Sequence, residues 1–489
     1  MEEAKHFIGG EWTASSGGDT IPVVDPSDGQ PFTTLARGTA ADIDHAVQCA
    51  RRAYEGAWGA VSAAERGRLL YRLSMLVTAC HEELAQLEAR DTGKPLKQAR
   101  GDAAALARYF EFYAGAADKL HGETLPYQNG YTVFTIREPH GVTGHIVPWN
   151  YPMQIFGRSV GAALATGNAC VVKPAEDACL SVLRVAELAA EAGLPAGALN
   201  IVTGYGHEAG AALARHAGID HISFTGSPET GKLVTQMASE NHVPVTLELG
   251  GKSPNIIFED ADLKRAIPGA VAGVFAAAGQ TCIAGSRLIV HRTVYEEVLE
   301  GLVEWADRIR LGNPKDETTD MGPVANPRQY EGILGMIRRA EESDARLITG
   351  GSKASEELDG LFIAPTIFAD VDPQCELAQE EVFGPVLSVF PFDTDEEAIA
   401  LANSTRFGLA SGMWTQNLTR VHTLGPRLRA GTVWVNTYRA NAAQAPFGGV
   451  GESGYGRERG LEALEDYLRV KNTMIDLSNE ARDPFQVRT

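Results

Sequence analysis

The feature that most constrains this chain is an alternation that sets in at residue 144. Short apolar runs occur at "GHIV" (144–147), "ACVVK" (169–173), "LNIVTG" (199–204), "HISFTG" (221–226) and "VPVTLELGG" (243–251). Between them lie segments with helical spacing: "LSVLRVAELAAEAG" (180–193), stopped by Gly193, "HEAGAALARHAG" (207–218) and "PETGKLVTQMASE" (228–240). Strands alternating with helices of this length predict a parallel sheet with helices on its faces. Such a sheet binds ligands beyond the carboxyl ends of its strands. A second alternating block, from about 250 to 450, contains "SRLIVH", "LSVFPF" and "GTVWVN" and predicts another α/β domain.

Upstream, residues 40–117 read as helical, and "AADIDHAVQCARRAYEGA" has Asp42 or a neighbour as its cap. The stretch "LPYQNGYTVFTIREPHG" alternates around Asn129-Gly130 and predicts a hairpin. The tail "LRVKNTMIDLS" (468–478) predicts a late strand that joins this hairpin in a small separate sheet.

A chain of 489 residues is too long for one simple core and implies two or three domains. With 43 Lys plus Arg against 63 Asp plus Glu, the net charge is −20. That surface repels nucleic acid and anionic membranes. No apolar run is long enough for a membrane span. The start "MEEAKHFIGG" lacks a basic region before an apolar block, which speaks against a secretory or transit leader. The six cysteines are scattered, with no CxxC pair and no Cys/His cluster. That pattern predicts no metal site and suits a reducing cytoplasm.

Several short stretches carry residues suited to chemistry. Cys282 sits in "AAAGQTCIAGSRL", either as a packed thiol or as a nucleophile. In "FTGSPETG", Gly226, Ser227 and Gly231 lie where a strand passes into a helix, which is either a phosphate site or a plain turn. In "VVKPAE", Lys173 and Glu176 follow a strand end. The carboxylate there can accept ribose hydroxyls and would repel a 2′-phosphate, and the pair can equally be a solvated one. In "VPWNYPMQIFGRSV", Pro152 suits a first helical turn, and Asn150 is either a cap or an amide donor to an oxyanion. Tyr151, Gln154, Ile155 and Arg158 share one face of that helix. In "LELGGKSP", Glu248 ends a strand before two glycines, a place for a general base or for an exposed loop acid.

Taken together and in this order, these motifs resemble the aldehyde dehydrogenase superfamily. So do "QEEVFGPVLSV" (379–389), "GTVWVN" (431–436) and "PFGGVGESGYGRERG" (446–460), so the resemblance covers nearly the whole chain. It implies that Cys282 is the nucleophile, Asn150 an oxyanion donor, Glu248 the base that activates water, and Glu458 a helper in proton relay. It implies NAD as cofactor, held by Ile146, Trp149, Lys173, Glu176, Gly226, Ser227, Gly231, Glu381 and Phe383. Around a small-molecule aldehyde it places Tyr151, Gln154, Arg158, Thr281, Ile283 and Phe447.

The implied fold is a Rossmann-like NAD domain (1–119 and 140–249), an α/β catalytic domain (250–467) and a small β oligomerisation arm (120–139 and 468–489), giving a homodimer or homotetramer. Arg158 stands where succinic semialdehyde dehydrogenases carry a carboxylate-binding arginine, but the companion position is Ala276. It either reads a substrate carboxylate or pairs internally. "TYRANAAQAP" (437–446) offers room for a bulky aldehyde, so a semialdehyde and an aromatic aldehyde are both candidate substrates. Two features depart from the family pattern. Val450-Gly451-Glu452 stands where a lysine is usual, and alanine within Ala276–Ala278 stands where an asparagine is. The competing readings are transfer of the thioester to coenzyme A and a silent structural protein on this fold.

Overall fold

The computed structural model describes residues 3–351, 358–479 and 485. Among these, five parallel strands form the middle of an eight-stranded sheet. Their order is Val245–Glu248, His221–Thr225, Val142–Val147, Ala169–Pro174, Leu199–Ile201. The chain builds outward from Val142–Val147 in one direction and then returns to add His221–Thr225 on its other side. Strand order therefore reverses between these two, and that is where a crevice opens beyond the carboxyl ends.

The edges differ from the expectation. His6–Ile8 and Glu11–Thr13 pair antiparallel beyond Leu199–Ile201, turned by Gly9 and Gly10 at φ 63° and 87°. Gly454–Tyr455 closes the opposite edge against Val245–Glu248, so the chain revisits this sheet late. The strand expected over 199–204 ends at Ile201 because the next groups bond elsewhere. Thr203 N donates to the His6 ring at 3.2 Å, and its carbonyl accepts Gly38 N at 2.9 Å. The helix expected over 207–218 is a wide π turn, Gly206–Gly210, that leads into Ala211–Arg215. Two glycines in so short a segment weaken regular α-helix.

The segment 40–117 is four helices: Ala40–Glu55, Ala63–Ala79, His81–Thr92 and Leu96–Ala116. Thr39 rather than Asp42 is the first N-cap. Asp42 is the reciprocal partner three residues on, and the two complete a capping box. The helix Pro152–Thr166 is buried along nearly its whole length and stops at Gly167 in a left-handed conformation. The expected small sheet is present: Leu468–Asp476 pairs antiparallel with Tyr131–Pro139, which pairs with Thr124–Leu125. The last part of the implied arm, 480–484 and 486–489, lies outside the described residues.

The second large sheet runs Arg346–Thr349, Thr366–Ala369, Val386–Phe392, Arg287–His291, Pro254–Ile257, Ala410–Trp414, Thr432–Val435, parallel except for its first strand. Alternate residues feed cores on its two faces. Ile256, Ile289 and Phe390 face one, and Ile257, Leu288 and Val389 the other. The carboxyl ends of the first sheet look across at the amino ends of the second.

Candidate active site

A cavity of about 830 Å³ occupies that gap. Its near wall comes from segments just past first-sheet strands: Trp149 and Asn150, Glu176, Gly226 and Ser227, Leu249 and Gly250. Its far wall comes from segments just before second-sheet strands: Thr281 to Ile283, Glu381 and Phe383, Arg406 and Phe407. Residues from seven parts of the sequence thus meet at the place where the reversal of strand order predicts a ligand.

The backbone before Cys282 is tightly held. After the helix Leu263–Phe275, Ala277 and Ala278 adopt left-handed conformations, φ 54° and 52°, followed by Gly279 at 71°. Left-handed backbone disfavours an L-residue by about 1–2 kcal/mol, so the turn persists only where its surroundings fix it. They do. Ala277 N donates to the Gln98 side chain at 3.0 Å, and Gln280 Oε1 accepts Ala325 N at 2.9 Å. A side chain at Gly279 would lie 2.0 Å from the Gly384 carbonyl, and one at Gly251 would lie 2.4 Å from the Cys282 carbonyl. The glycines around this loop let three backbones pass within contact of one another.

Cys282 is half-buried, and burial pushes its thiol up to about 12 against the nearby positive charges of Arg158 and Arg459. Asn150 is buried, and its amide donates to the Gln280 carbonyl at 3.0 Å, tying it to the chain two residues before the sulfur. An amide nitrogen carries two donors, so one hydrogen remains.

Glu248 is 2% exposed, and neither of its carboxyl oxygens has a hydrogen-bond partner among the described residues. Burial, reinforced by the nearby Glu458 charge, holds it well above the usual carboxylate range. Of the two readings open for Arg158, the structure shows the internal one. Its guanidinium is ion-paired with Glu458, and both are buried. Glu458 also accepts a hydrogen bond from Ser223 Oγ at 3.4 Å and stands behind the cavity wall instead of lining it.

Lys173, Ile146 and Gly231 are likewise outside the lining. Lys173 donates to Glu176 at 2.8 Å. Gly231 makes room for Leu249, which a Cβ there would meet at 2.7 Å. Trp149 and Phe383 meet edge to face, 5.4 Å between ring centres. Glu381 accepts Gly251 N at 3.1 Å, and burial raises its carboxyl to about 8. Tyr151, Gln154, Thr281, Ile283 and Phe447 all line the cavity. Among the described residues no group of His, Cys, Asp and Glu could hold a metal ion, and no helix is long and apolar enough to cross a membrane.

The sequence profile of the aldehyde dehydrogenase family matches residues 12–473. The chain belongs to the aldehyde dehydrogenase family. It is 45% identical over 480 residues to the mitochondrial benzaldehyde dehydrogenase of Antirrhinum majus, covering 98% of this chain and 90% of that one. Its fold matches a crystal structure from Burkholderia cenocepacia with TM-score 0.95 and 64% identity, covering 97% of this chain and all (100%) of that one. It matches the NAD+ complex of an aldehyde dehydrogenase from Bacillus cereus with TM-score 0.96 and 45% identity, over 97% of both chains.

Against that family pattern, the departure at 450–452 has a local explanation. Glu452 accepts Arg406 Nε at 2.8 Å, Arg406 also grips Glu380, and Gly451 takes φ 64°. An acid therefore organises the loop where a lysine is usual.

Some residues at the site were missed by the sequence reading. Arg439, Asn441 and Arg459 line the cavity, and Gln280 braces the cysteine loop. Arg439 had a visible signal, a lone cation among small residues in "TYRANAA", whereas Arg459 shares "GYGRERG" with Arg457 and did not stand out. Also missed was a buried network beneath the active-site helix. Lys94 pairs with Asp102 and, at 3.3 Å, with Glu88, and lies 3.7 Å from the Tyr151 ring centre. Glu88 in turn accepts Met153 N and Ser181 Oγ, and Asp102 accepts the Gln154 amide at 2.6 Å. Lys94→Met leaves two buried carboxylates without their cation, which costs about 3 kcal/mol or more. A fall in the thermal midpoint by calorimetry is the expected result.

Proposed function

We propose that this chain oxidises an aldehyde to the carboxylic acid with NAD as hydride acceptor, through a thiohemiacetal and a thioester on Cys282. The observation that carries this is the convergence of a cysteine, an asparagine amide and an unpartnered buried carboxyl on one cavity. The strand–helix turn at Gly226-Ser227 lines the same cavity.

The cavity fits the dinucleotide. A Cβ at Gly226 would meet the Phe224 ring at 2.5 Å, so glycine there lets a ligand approach the backbone closely at the N-terminus of Pro228–Ser239. In this reading Gly226 and Ser227 hold the pyrophosphate, with Gly231 keeping the helix close. Glu176, oriented by Lys173, takes the adenosine ribose, and Ile146 and Trp149 flank that end. Glu381 takes the second ribose and Phe383 packs beside the nicotinamide. When bound, NAD supplies the hydride acceptor.

The protein's own groups do the rest. The Cys282 thiolate adds to the aldehyde carbon, and the Asn150 amide and the Cys282 N–H stabilise the alkoxide. Loss of hydride from that carbon leaves a thioester. Glu248 takes a proton from water, the water adds to the thioester, and collapse releases the acid and the thiolate. Glu458, paired with Arg158, stores charge next to Glu248 and assists the proton's departure. A carboxyl at Glu248 favours hydrolysis over transfer to coenzyme A.

The same reading divides the chain into a NAD-binding domain (1–119, 140–249), a catalytic domain (250–467) and an arm (120–139, 468–489). The arm strand exposes Val470, Met474 and Ile475, which supports assembly as a homodimer or homotetramer. All six cysteines are unpaired, in keeping with a cytoplasmic location.

The test is to mix protein, NAD and a panel of aliphatic, aromatic and carboxylated aldehydes and follow NADH absorbance. One acid released per NADH is the expected result. No NADH with any member, or acyl-CoA in place of acid when coenzyme A is added, overturns the reading.

A further inference from the structure

On the wall formed by the helix Pro152–Thr166 and the chain at 439–459, three arginines line the cavity: Arg158, Arg439 and Arg459. Their partners differ. Arg158 is neutralised by Glu458. Arg439 donates to two neutral acceptors, the Tyr151 hydroxyl at 2.7 Å and the Ala272 carbonyl at 3.2 Å. Arg459 has no carboxylate of the described residues within ion-pair distance, and its buried Nε makes no hydrogen bond. Its guanidinium carbon lies 4.5 Å from the centre of the Phe447 ring and 5.8 Å from that of Tyr109. A half-buried cation with aromatic neighbours and no carboxylate in ion-pair contact is unusual, because desolvation disfavours the charge unless something pairs with it.

The backbone shows that Arg459 is placed there. Glu458 N and O both bond to Phe447 at 2.7 Å, and Gly460 N donates to the Ala443 carbonyl at 2.9 Å. Between these two fixed residues Arg459 takes φ 62°, a left-handed conformation for a residue with a long side chain. Strain of this kind persists where the surroundings over-determine it, and it clusters at ligand sites. Among the described residues, three guanidinium groups on this wall stand against two carboxyls, Glu458 and Glu248. This side of the cavity therefore carries excess positive charge.

We propose that Arg459, with Arg439 at the rim, forms a carboxylate subsite that makes the preferred substrate an aldehyde bearing a carboxylate remote from its carbonyl. This rests on the oxidation reading above and moves the role first considered for Arg158 to a guanidinium that is free to take it. A guanidinium fork matches a planar carboxylate.

The experiment compares kcat/KM within two pairs, 4-carboxybenzaldehyde against benzaldehyde and succinic semialdehyde against butanal, for the native protein, Arg459→Gln and Arg459→Lys. The native protein is expected to favour the carboxylated member of at least one pair. Arg459→Gln should lower that preference by about 30-fold, mainly through KM, as loss of a buried charge pair does. Arg459→Lys, which keeps charge but not the fork, should fall between. No native preference in either pair overturns the subsite, as does a preference that Arg459→Gln shifts by less than about threefold. The second result is also what a role confined to the Cys282 thiol predicts, since both pair members would then slow alike.

A readout without turnover separates the two readings. Benzene-1,4-dicarboxylate should protect Cys282 from iodoacetamide in the native protein and not in Arg459→Gln. Protection without NADH formation keeps the subsite and removes the oxidation reading. Oxidation of both pair members alike keeps oxidation and removes the subsite.

Discussion

Cys282→Ala is expected to abolish NAD-dependent aldehyde oxidation, by at least ~1,000-fold in kcat, because no other group at the site can form the covalent intermediate. None of the other five cysteines lines the cavity, so none can substitute. The variant should fold, since alanine is smaller, the site is half-buried and the loop is held by Gln98, Gln280 and Asn150. The native thiol also has a pH signature. Burial pushes it up to about 12, so little thiolate exists near neutrality in the ligand-free protein. Its alkylation by iodoacetamide should rise close to tenfold per pH unit from pH 7 to 10, roughly following thiolate fraction. A plateau below pH 9 would mean that Arg158 and Arg459 outweigh burial. Residual turnover in Cys282→Ala above a thousandth of native would sink the covalent mechanism.

What could be read from the residues alone follows from the range over which each signal acts. The five parallel strands were legible because each carries its own apolar run, almost wholly buried on both faces. The Gly-rich turns beside Ser227 and Glu248 were legible because a close backbone approach demands glycine at fixed offsets. Pairings between distant segments were not. His6–Ile8 at one edge and Gly454–Tyr455 at the other are too short to announce themselves, and only the finished sheet recruits them. The same holds for charge. Arg158 was visible on the right helix face, but that its cation belongs to Glu458, 300 residues later, is a property of the folded chain. Arg459, one residue from the acid that was noticed, took on meaning only when the structure showed its buried Nε without a hydrogen bond and its guanidinium against two aromatic rings.

Glu248→Gln should separate acylation from hydrolysis. The amide has the shape of the carboxyl, and both native oxygens lack hydrogen-bond partners, so the exchange breaks no bond. The amide also spares the cost of charging a buried group, since burial holds the Glu248 carboxyl well above the usual carboxylate range. The effect on stability has a definite sign. A carboxyl whose folded pKa is raised binds more protons folded than unfolded, so native stability falls as pH climbs above the ordinary carboxylate range. Glutamine removes that fall, so the variant should melt no lower than the native protein at pH 8.

Catalysis is where it should fail. Without a proton acceptor, water adds slowly to the thioester. The expected trace is a burst of about one NADH per active site followed by a steady rate lower by about 100- to 1,000-fold, the usual worth of a general base. Mass spectrometry of the quenched variant should find the acyl group on the peptide containing Cys282, and added hydroxylamine should restore turnover by cleaving it. A variant with no burst would assign Glu248 to activation of the thiol. Since Glu248 and Cys282 line one cavity and the carboxyl's own charge opposes thiolate formation, the burst is the outcome that the electrostatics favour.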